Sequence, residues 1–265
     1  MLHRRECRLL MFKNLETALL QPWPRIWLQE IDSTNAEACR RIARGELGPT
    51  WIAARSQTSG RGRRGREWLS ETGNLFTTAY FPLERSPAFA GLVCFTTCIS
   101  LRAALGELGV DVSEIQYKWP NDLRWRGRKL SGILIETSPL AQDALAMCVG
   151  VGVNIISAPD TDQKTACVNN LPSAASSLSA DGLLEAFAEC FKSELISLLT
   201  NGFDQTRLKW LDHAEGLNET ISVTVGAERI SGILIGLDAD GSLVMQMQDG
   251  QKRRITAGDV QLIAD

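Results

Sequence analysis

The stretch YKWPNDLRWRGRKLSGILIE, residues 117–136, decides how the middle of the chain folds. Strand-favouring segments flank Gly127, which predicts strands joined by a tight turn. Pro120 fixes a sharp local geometry, and Asn121-Asp122 favours a second turn. Lys129 begins a strongly apolar strand, where a lysine either extends to solvent or is turned into a site.

Taken alone, this stretch leaves two interpretations open. Asp122 has the chemistry to contact a magnesium ion that accompanies a nucleotide phosphate, and Lys118 has the chemistry to pair with phosphate. The plainer alternative is a structural turn with a surface ion pair.

The flanking sequence predicts the other elements of the main domain. We expect strands over 24–32, 50–57, 74–82 and 143–156, and helices over 33–45, 87–109, 182–203 and 204–216. Ser33 or Thr34 can cap the first helix, and Gly45 can end it. Residues 157–179 are mostly small and polar and have no periodicity, which predicts a long loop.

The tail, residues 217–265, has a different character. Its short strand-like segments are separated by Asp-Gly turns, which predicts a small, compact β-barrel. The chain is therefore expected to be α+β, with a mixed or antiparallel sheet flanked by helices and a small C-terminal barrel. This divides it into an N-terminal extension (1–23), a main domain (24–216) and the barrel (217–265).

Charge and cysteine content argue against several classes of function. Lys and Arg number 28 against 31 Asp and Glu, and the net charge of −3 argues against a general nucleic-acid binder. The seven cysteines include no CxxC pair and there are only two histidines, so a zinc site is not expected. No signal peptide or membrane-spanning stretch is recognised, which predicts a cytoplasmic protein that does not bind membranes.

The basic segment SGRGRRGREW, residues 59–68, is therefore a local feature. Glycines let a loop approach a ligand closely, and arginines add bidentate hydrogen bonds to oxyanions. The pattern is not a Walker A phosphate loop. A solvated basic loop, a nucleic-acid-binding segment and a site for a small phosphorylated ligand all remain open on these residues alone.

The segment GVGVNI, residues 150–155, alternates glycine with valine at its start. In an inner strand this pattern either clears volume for a flat ligand or allows tight sheet packing. Gly132 similarly permits a close backbone approach within its strand.

In this order and spacing, the stretches resemble the biotin protein ligases. The similarity rests on STN (33–35), QTSGRGRRGREW (57–68), KWPNDL (118–123), KLSGILIE (129–136), GVGVNI (150–155), SAASSL near 173–178 and the β-rich tail. It covers nearly the whole chain from about Pro24. The resemblance implies a class II synthetase-like catalytic domain that binds biotin and ATP, followed by an SH3-like domain.

The resemblance also implies a two-step reaction. The biotin carboxylate attacks the α-phosphate of ATP to give biotinyl-5′-adenylate, and a lysine of a biotin carboxyl-carrier domain then accepts the biotin. ATP and biotin are substrates, Mg²⁺ assists, and no bound prosthetic group is expected. The carrier domain of a carboxylase is the expected partner, nucleic acid is not, and the protein is expected to be a monomer or a homodimer.

By the same resemblance, the expected site residues fall into overlapping groups. Lys129 and Arg63 are the expected catalytic residues, and Asp122 is the expected Mg²⁺ contact. Biotin is expected to contact Ser33, Thr34, Asn35, Gln57, Gly60, Arg61, Gly62, Arg63, Trp68, Lys129, Gly132, Gly150 and Gly152. ATP and the adenylate are expected to contact Arg63, Arg66, Lys118, Asn121, Asp122 and Asn154. The segment 157–176 is expected to close over the nucleotide side.

Two departures from the family pattern bear on function. Family members commonly have Glu where this chain has Arg55, so loop order or biotin affinity is expected to differ. Some relatives carry an N-terminal DNA-binding domain, for which the residues before Pro24 are too few, so a ligase without repressor function is expected. The start of translation, Met1 or Met11, is left open.

Two alternatives stay in view. A lipoate or octanoate ligase would share the fold and the acyl-transfer chemistry, but such relatives lack KWPNDL. A nucleic-acid-binding module would use the arginine loop and the barrel, but it does not explain KWPNDL, KLSGILIE and GVGVNI together.

Overall fold

A computed structural model describes residues 19, 21–140, 144–161, 163–172 and 178–263. Its main sheet has seven strands in the order β1-β2-β3-β7-β6-β5-β4. They are β1 (Arg25–Ile31), β2 (Thr50–Gln57), β3 (Leu75–Leu83), β4 (Ile115–Lys118), β5 (Asp122–Trp125), β6 (Arg128–Pro139) and β7 (Leu145–Val153). The β1–β2 pair is parallel and the other neighbours are antiparallel, so the sheet is mixed as predicted.

Four helices cover the two faces of this sheet. They are α1 (Thr34–Ala43), α2 (Pro87–Glu107), α3 (Ala180–Asn201) and α4 (Phe203–Leu211). Successive side chains of β2 point to opposite faces of the sheet. Trp51 and Ala53 belong to the main hydrophobic core on one face, and Ile52 packs beneath α1 in a second hydrophobic cluster on the other. Because β1 and β2 run parallel, the chain must cross over between them, and α1 is that crossover.

Helix α2 is apolar on nearly all sides, which is typical of a helix enclosed by its neighbours. By length and composition it would be long enough to cross a membrane, but most of its apolar stretch is buried in the fold. It packs against α3, α4 and the sheet. We therefore assign it to the core.

The C-terminal residues form a second, antiparallel sheet in the order β11-β10-β9-β8-β12. Its strands are β8 (Thr220–Val225), β9 (Glu228–Leu237), β10 (Leu243–Gln246), β11 (Lys252–Ile255) and β12 (Asp259–Leu262). The Asp240-Gly241 turn docks on the main domain, where the indole N–H of Trp119 donates to the Gly241 carbonyl at 3.0 Å. The second sheet is thereby held beside the turn that follows β4.

Most predicted elements are confirmed with small shifts of their ends, but the helix predicted over 204–216 ends at Leu211. Ser33 caps α1, and Gly45 follows that helix with a φ of 86°. The turn between β5 and β6 lies at Arg126 and Gly127, both with positive φ, which suits the glycine. Among the described residues of 154–172, the only helical element is a short 3₁₀ turn, Val168–Asn170, which agrees with that part of the predicted loop. Residues 1–18 of the predicted extension and most of the SAASSL motif lie outside the described residues.

Candidate active site

A cavity of about 290 Å³ lies between the start of α1, the arginine loop (residues 59–68) and the ends of β4 to β7. Every predicted site residue except Gly60 borders it. Gly60 lies behind the wall: its carbonyl accepts a hydrogen bond from the Trp68 N–H at 2.9 Å, and a Cβ there would collide with the Trp68 carbonyl. Gly60 therefore shapes the loop from outside this cavity.

The start of α1 is fixed by charged and polar contacts. Ser33 caps the helix, and its backbone N–H donates to Asp32 at 2.8 Å. The Arg40 guanidinium donates two hydrogen bonds of 2.7 and 2.8 Å to the same carboxylate, and they lower the pKa of Asp32 to about 2. The helix N-terminus is thus held beside the cavity.

Polar side chains at this end of the cavity form one connected network. Gln57 accepts hydrogen bonds from the Thr34 N–H at 2.9 Å and from its hydroxyl at 3.2 Å. The buried hydroxyl of Thr78 lies 2.8 Å from the Thr34 hydroxyl and 2.6 Å from Asn35 Oδ1. Thr78, on β3, was not predicted because strand residues of this type usually only pack.

The arginine loop is held in a defined conformation by hydrogen bonds and ion pairs. The Gly62 N–H donates to the Arg66 carbonyl at 2.7 Å, and Arg64 occupies the left-handed region with a φ of 58°. Arg61 pairs with Glu136 at 3.0 Å, and Arg66 lies 3.8 Å from Asp259.

Arg63 is the loop arginine that turns toward the KWPND turn. Its guanidinium donates to Asn121 Oδ1 at 2.7 Å, and Asn121 in turn donates to the Ile133 carbonyl at 2.9 Å. Burial lowers the pKa of Arg63, although the group stays charged because an arginine pKa starts so high. A half-buried cation beside the cavity is suited to an anionic ligand.

Lys129 is turned into the site. Its ammonium lies 2.9 Å from the buried carboxylate of Asp122 and 5.4 Å from the centre of the Trp68 ring. Its backbone is held by the long loop, since the Lys129 N–H donates to the Lys164 carbonyl at 2.8 Å and the Ala166 N–H donates to the Lys129 carbonyl at 3.0 Å. These contacts fix a positive charge in the wall of the cavity.

The glycines of β6 and β7 make room for side chains as well as for a ligand. Gly132 and Gly152 face each other across the strand pair, and the ring of Trp68 lies directly on them. A Cβ at Gly132 would be 2.8 Å from that ring, and one at Gly150 would collide with the amide of Asn35. Gly132, Gly150 and Gly152 form a glycine floor to this part of the cavity, and Trp68 covers it.

Three polar atoms of cavity-lining residues are buried without a hydrogen-bond partner among the described residues. They are Trp68 Nε1, Asn154 Oδ1 and Asp122 Oδ1, of which the last is ion-paired with Lys129. Buried polar atoms normally find partners, so Trp68 and Asn154 leave one donor and one acceptor unsatisfied beside the cavity.

The far wall of the cavity comes from two segments that lie apart in sequence. Pro159, Thr161 and Thr165 of the long loop border it, and so does Asp259 of β12. Asp259 lies 3.5 Å from Lys118, so the C-terminal sheet contributes a carboxylate to the site. Nothing in the sequence around Asp259 distinguishes it from other acidic residues of the tail.

Arg55 does not contact the arginine loop. Its guanidinium makes two hydrogen bonds to Asp181, at the start of α3, and lies 3.9 Å above the ring centre of Trp27. Arg55 therefore joins β2 to β1 and α3.

The side chains around the cavity suit a magnesium ion that is bound mainly by substrate phosphates. They do not suit a metal site in which the protein supplies all the ligands. No group of three metal-binding side chains occurs among the described residues. Mg²⁺ commonly takes one or two carboxylates, water and substrate phosphates. Asp122 is a buried carboxylate in the cavity wall, which meets that requirement.

Comparison with known proteins assigns the family. Residues 29–154 match the model of the biotin/lipoate A/B protein ligase family, and residues 216–263 match the biotin protein ligase C-terminal domain. The chain is 34% identical over 229 residues to a biotin–[acetyl-CoA-carboxylase] ligase of Paracoccus denitrificans, covering 85% of this chain and 95% of that protein. It is 31% identical to a bifunctional ligase/repressor of Escherichia coli, covering 73% of that protein.

The fold has a close counterpart among solved structures. A biotin protein ligase from Aquifex aeolicus, solved with biotin and ATP, aligns with a TM-score of 0.75 at 24% identity over 91% of this chain. The architecture is thus that of a class II synthetase-like ligase with an SH3-like C-terminal domain. With the identity to the Paracoccus enzyme, the chain belongs to the biotin protein ligase family.

Proposed function

We propose that this protein activates biotin with ATP to biotinyl-5′-AMP and transfers the biotin to a lysine of a carboxylase biotin-carrier domain. The observation that carries the proposal is a single cavity in which a basic loop, the Lys129–Asp122 pair and a glycine floor meet the polar network at the start of α1. A cavity with a few convergent polar groups is typical of a small-molecule site.

In the first step, a biotin carboxylate oxygen attacks the α-phosphorus and the bond to pyrophosphate breaks. Both reactants are anionic, so their approach must be offset by fixed positive charge. Arg63, Arg66, Lys118 and Lys129 border the cavity and supply it. Held against Asp122 at 2.9 Å, Lys129 is positioned to stabilise the charge that develops at the α-phosphate.

In the second step, the acceptor amine attacks the acyl carbon of the mixed anhydride and AMP leaves. The adenylate must be shielded from water until the carrier lysine arrives. Trp68 over the glycines and the long loop beside Lys129 offer that shielding. Closure of residues 157–176 over the nucleotide stays a prediction.

Mg²⁺, bound by ATP phosphates and Asp122, would neutralise charge on the polyphosphate. We propose that the enzyme acts in the cytoplasm, as a monomer or a homodimer. A lipoate or octanoate ligase is disfavoured because the Paracoccus relative and the C-terminal domain match both bear biotin ligase names.

The reaction is tested by mass spectrometry of a purified biotin-carrier domain incubated with this protein, biotin, ATP and Mg²⁺. We expect a mass gain of one biotinyl group that needs ATP, stops with a chelator and returns with added Mg²⁺. Lipoate and octanoate in place of biotin should give no gain. A gain with either of these and none with biotin would contradict the proposal.

Asp259→Asn tests the contribution of the C-terminal sheet. In the ligand-free protein this carboxylate lies 3.5 Å from the Lys118 ammonium. A phosphate of ATP that pairs with Lys118 would have to displace it. Because the pair is partly exposed, we expect the KM for ATP to fall about two- to fivefold, with the KM for biotin unchanged. Glu228→Gln, which breaks an exposed pair with Arg253 in the same sheet, is the control. A raised KM for ATP would mean that Asp259 anchors the sheet instead.

A further inference from the structure

Glu136, the last residue of KLSGILIE, is a charged group that the proposed reaction has not used. Its two carboxylate oxygens contact different parts of the site. Oε2 accepts a hydrogen bond from Asn35 Nδ2 at 2.8 Å, and Oε1 lies 3.0 Å from Arg61 Nη2. One carboxylate on β6 therefore joins the start of α1 to the arginine loop.

A carboxylate can only accept hydrogen bonds, so Glu136 at 2.8 Å, with the more distant Leu134 carbonyl at 3.4 Å, decides which way the Asn35 amide faces. Nδ2 must point to Glu136, and Oδ1 is then left 2.6 Å from the Thr78 hydroxyl. Since that oxygen can only accept, Thr78 must give it its single proton. Thr78 is fully buried, so water does not offer its hydroxyl another partner.

The orientation passes from Thr78 to Thr34. With the Thr78 proton committed to Asn35, Thr34 must donate its own proton, either to Thr78 or to Gln57 Oε1 at 3.2 Å. The Thr34 N–H holds Gln57 Oε1 independently at 2.9 Å, and the amide nitrogen of Gln57 donates to Ser70 at 3.0 Å. Glu136 therefore orders the proton donors from Asn35 to Thr34, next to Gln57.

We propose that Glu136 is a positioning residue for biotin: it sets the direction of the hydrogen-bond network at the start of α1 and ties Arg61 of the loop to that network. The inference rests on the proposed function. It concerns the affinity for biotin and not the chemical step, because Glu136 lies behind Asn35 and Arg61 and does not border the cavity.

Glu136→Gln is the direct test, since it keeps the shape and removes the charge. A glutamine amide can donate as well as accept, so only the longer hydrogen bond to the Leu134 carbonyl, 3.4 Å, still holds the Asn35 amide in one orientation. The ion pair with Arg61 is lost. We expect the KM for biotin to rise about tenfold, with kcat and the KM for ATP changed less than about twofold. Thermal stability should change little because the side chain is partly exposed.

Thr78→Val is the second variant, because it breaks the same network without touching the Arg61 pair. It should raise the KM for biotin and leave kcat unchanged, and it carries the test if Glu136→Gln does not fold. Glu114→Gln, which removes an exposed carboxylate 2.6 Å from Arg126, is the matched control and should behave as wild type.

The outcomes separate this inference from the proposed function. A wild-type protein that does not biotinylate a carrier domain refutes the function. An active wild type, with an unchanged KM for biotin in folded Glu136→Gln, overturns the role of Glu136. A fall in kcat at unchanged KM would also overturn it, because a group acting on the chemical step is not a positioning residue for biotin.

Discussion

Lys129→Ala is expected to lower kcat for carrier biotinylation by about 10²- to 10³-fold, the usual effect of removing one group that stabilises developing charge. The ammonium is held 2.9 Å from Asp122, and the backbone on both sides is paired with the long loop. Its position is therefore set before substrates bind, and a preorganised charge needs no rearrangement during the reaction. Single-turnover formation of the adenylate, followed by pyrophosphate release, measures the effect on the first step.

The variant also leaves Asp122 without its partner, and a double variant separates this effect from catalysis. Asp122→Asn alone is the baseline, because Asp122 is also the proposed Mg²⁺ contact. If Lys129 only neutralises Asp122, the double variant should be no slower than Asp122→Asn alone. If Lys129 acts on the reaction, the double variant should be much slower than Asp122→Asn alone. Lys209→Ala is the control for loss of a paired lysine. The Lys209 ammonium lies 2.7 Å from the Glu194 carboxylate, and neither residue borders the cavity. A Lys129→Ala enzyme with normal kcat would contradict the assignment.

Much of the fold could be predicted because its signals are local. The tight turn at Gly127, the cap at Ser33 and the Asp-Gly turns of the tail each follow from the conformational preferences of one or two residues. The strand order of the main sheet could not be predicted in this way. It places β7 between β3 and β6, which is a matter of packing between segments far apart in sequence.

The site was predicted through motifs, and residues outside those motifs were missed. Asp259 lies 141 positions after Lys118 in the chain (259 − 118), and only the docking of the second sheet brings the two together. Thr78 was missed for another reason: an alternating strand gives no sign of which hydroxyl faces a neighbouring helix. Glu136 stood at the end of a quoted motif, but its role depends on contacts with Asn35 and Arg61 that spacing does not reveal.

The loop arginines differ in a way that the sequence GRGRRGR conceals. Arg61 and Arg66 have carboxylates within 4 Å, at Glu136 and Asp259. Arg63 has no ion-pair partner among the residues that the structure describes, and its hydrogen bond is to the neutral amide of Asn121. A half-buried cation without a counter-ion is costly, and an adenylate phosphate bound beside it would offset that cost.

Arg63→Gly should therefore loosen the adenylate more than any other change in the loop. Loss of a charge-assisted hydrogen bond of this kind lowers retention of the adenylate by about 10- to 100-fold. Released biotinyl-5′-AMP is a reactive mixed anhydride, so it should acylate exposed lysines of bystander proteins. A mass-spectrometric survey of biotinylated lysines in a protein mixture measures this loss of selectivity.

Arg64→Gly is the matched control, because it removes the same charge from the neighbouring position. Arg64 is exposed and adopts a φ of 58°, a conformation that glycine takes without strain, so this variant should retain the adenylate and its selectivity. Equal bystander labelling by the two variants would show that total loop charge matters and not the position of Arg63. Labelling confined to the carrier lysine in Arg63→Gly would refute the assignment, since it would mean that other groups hold the adenylate.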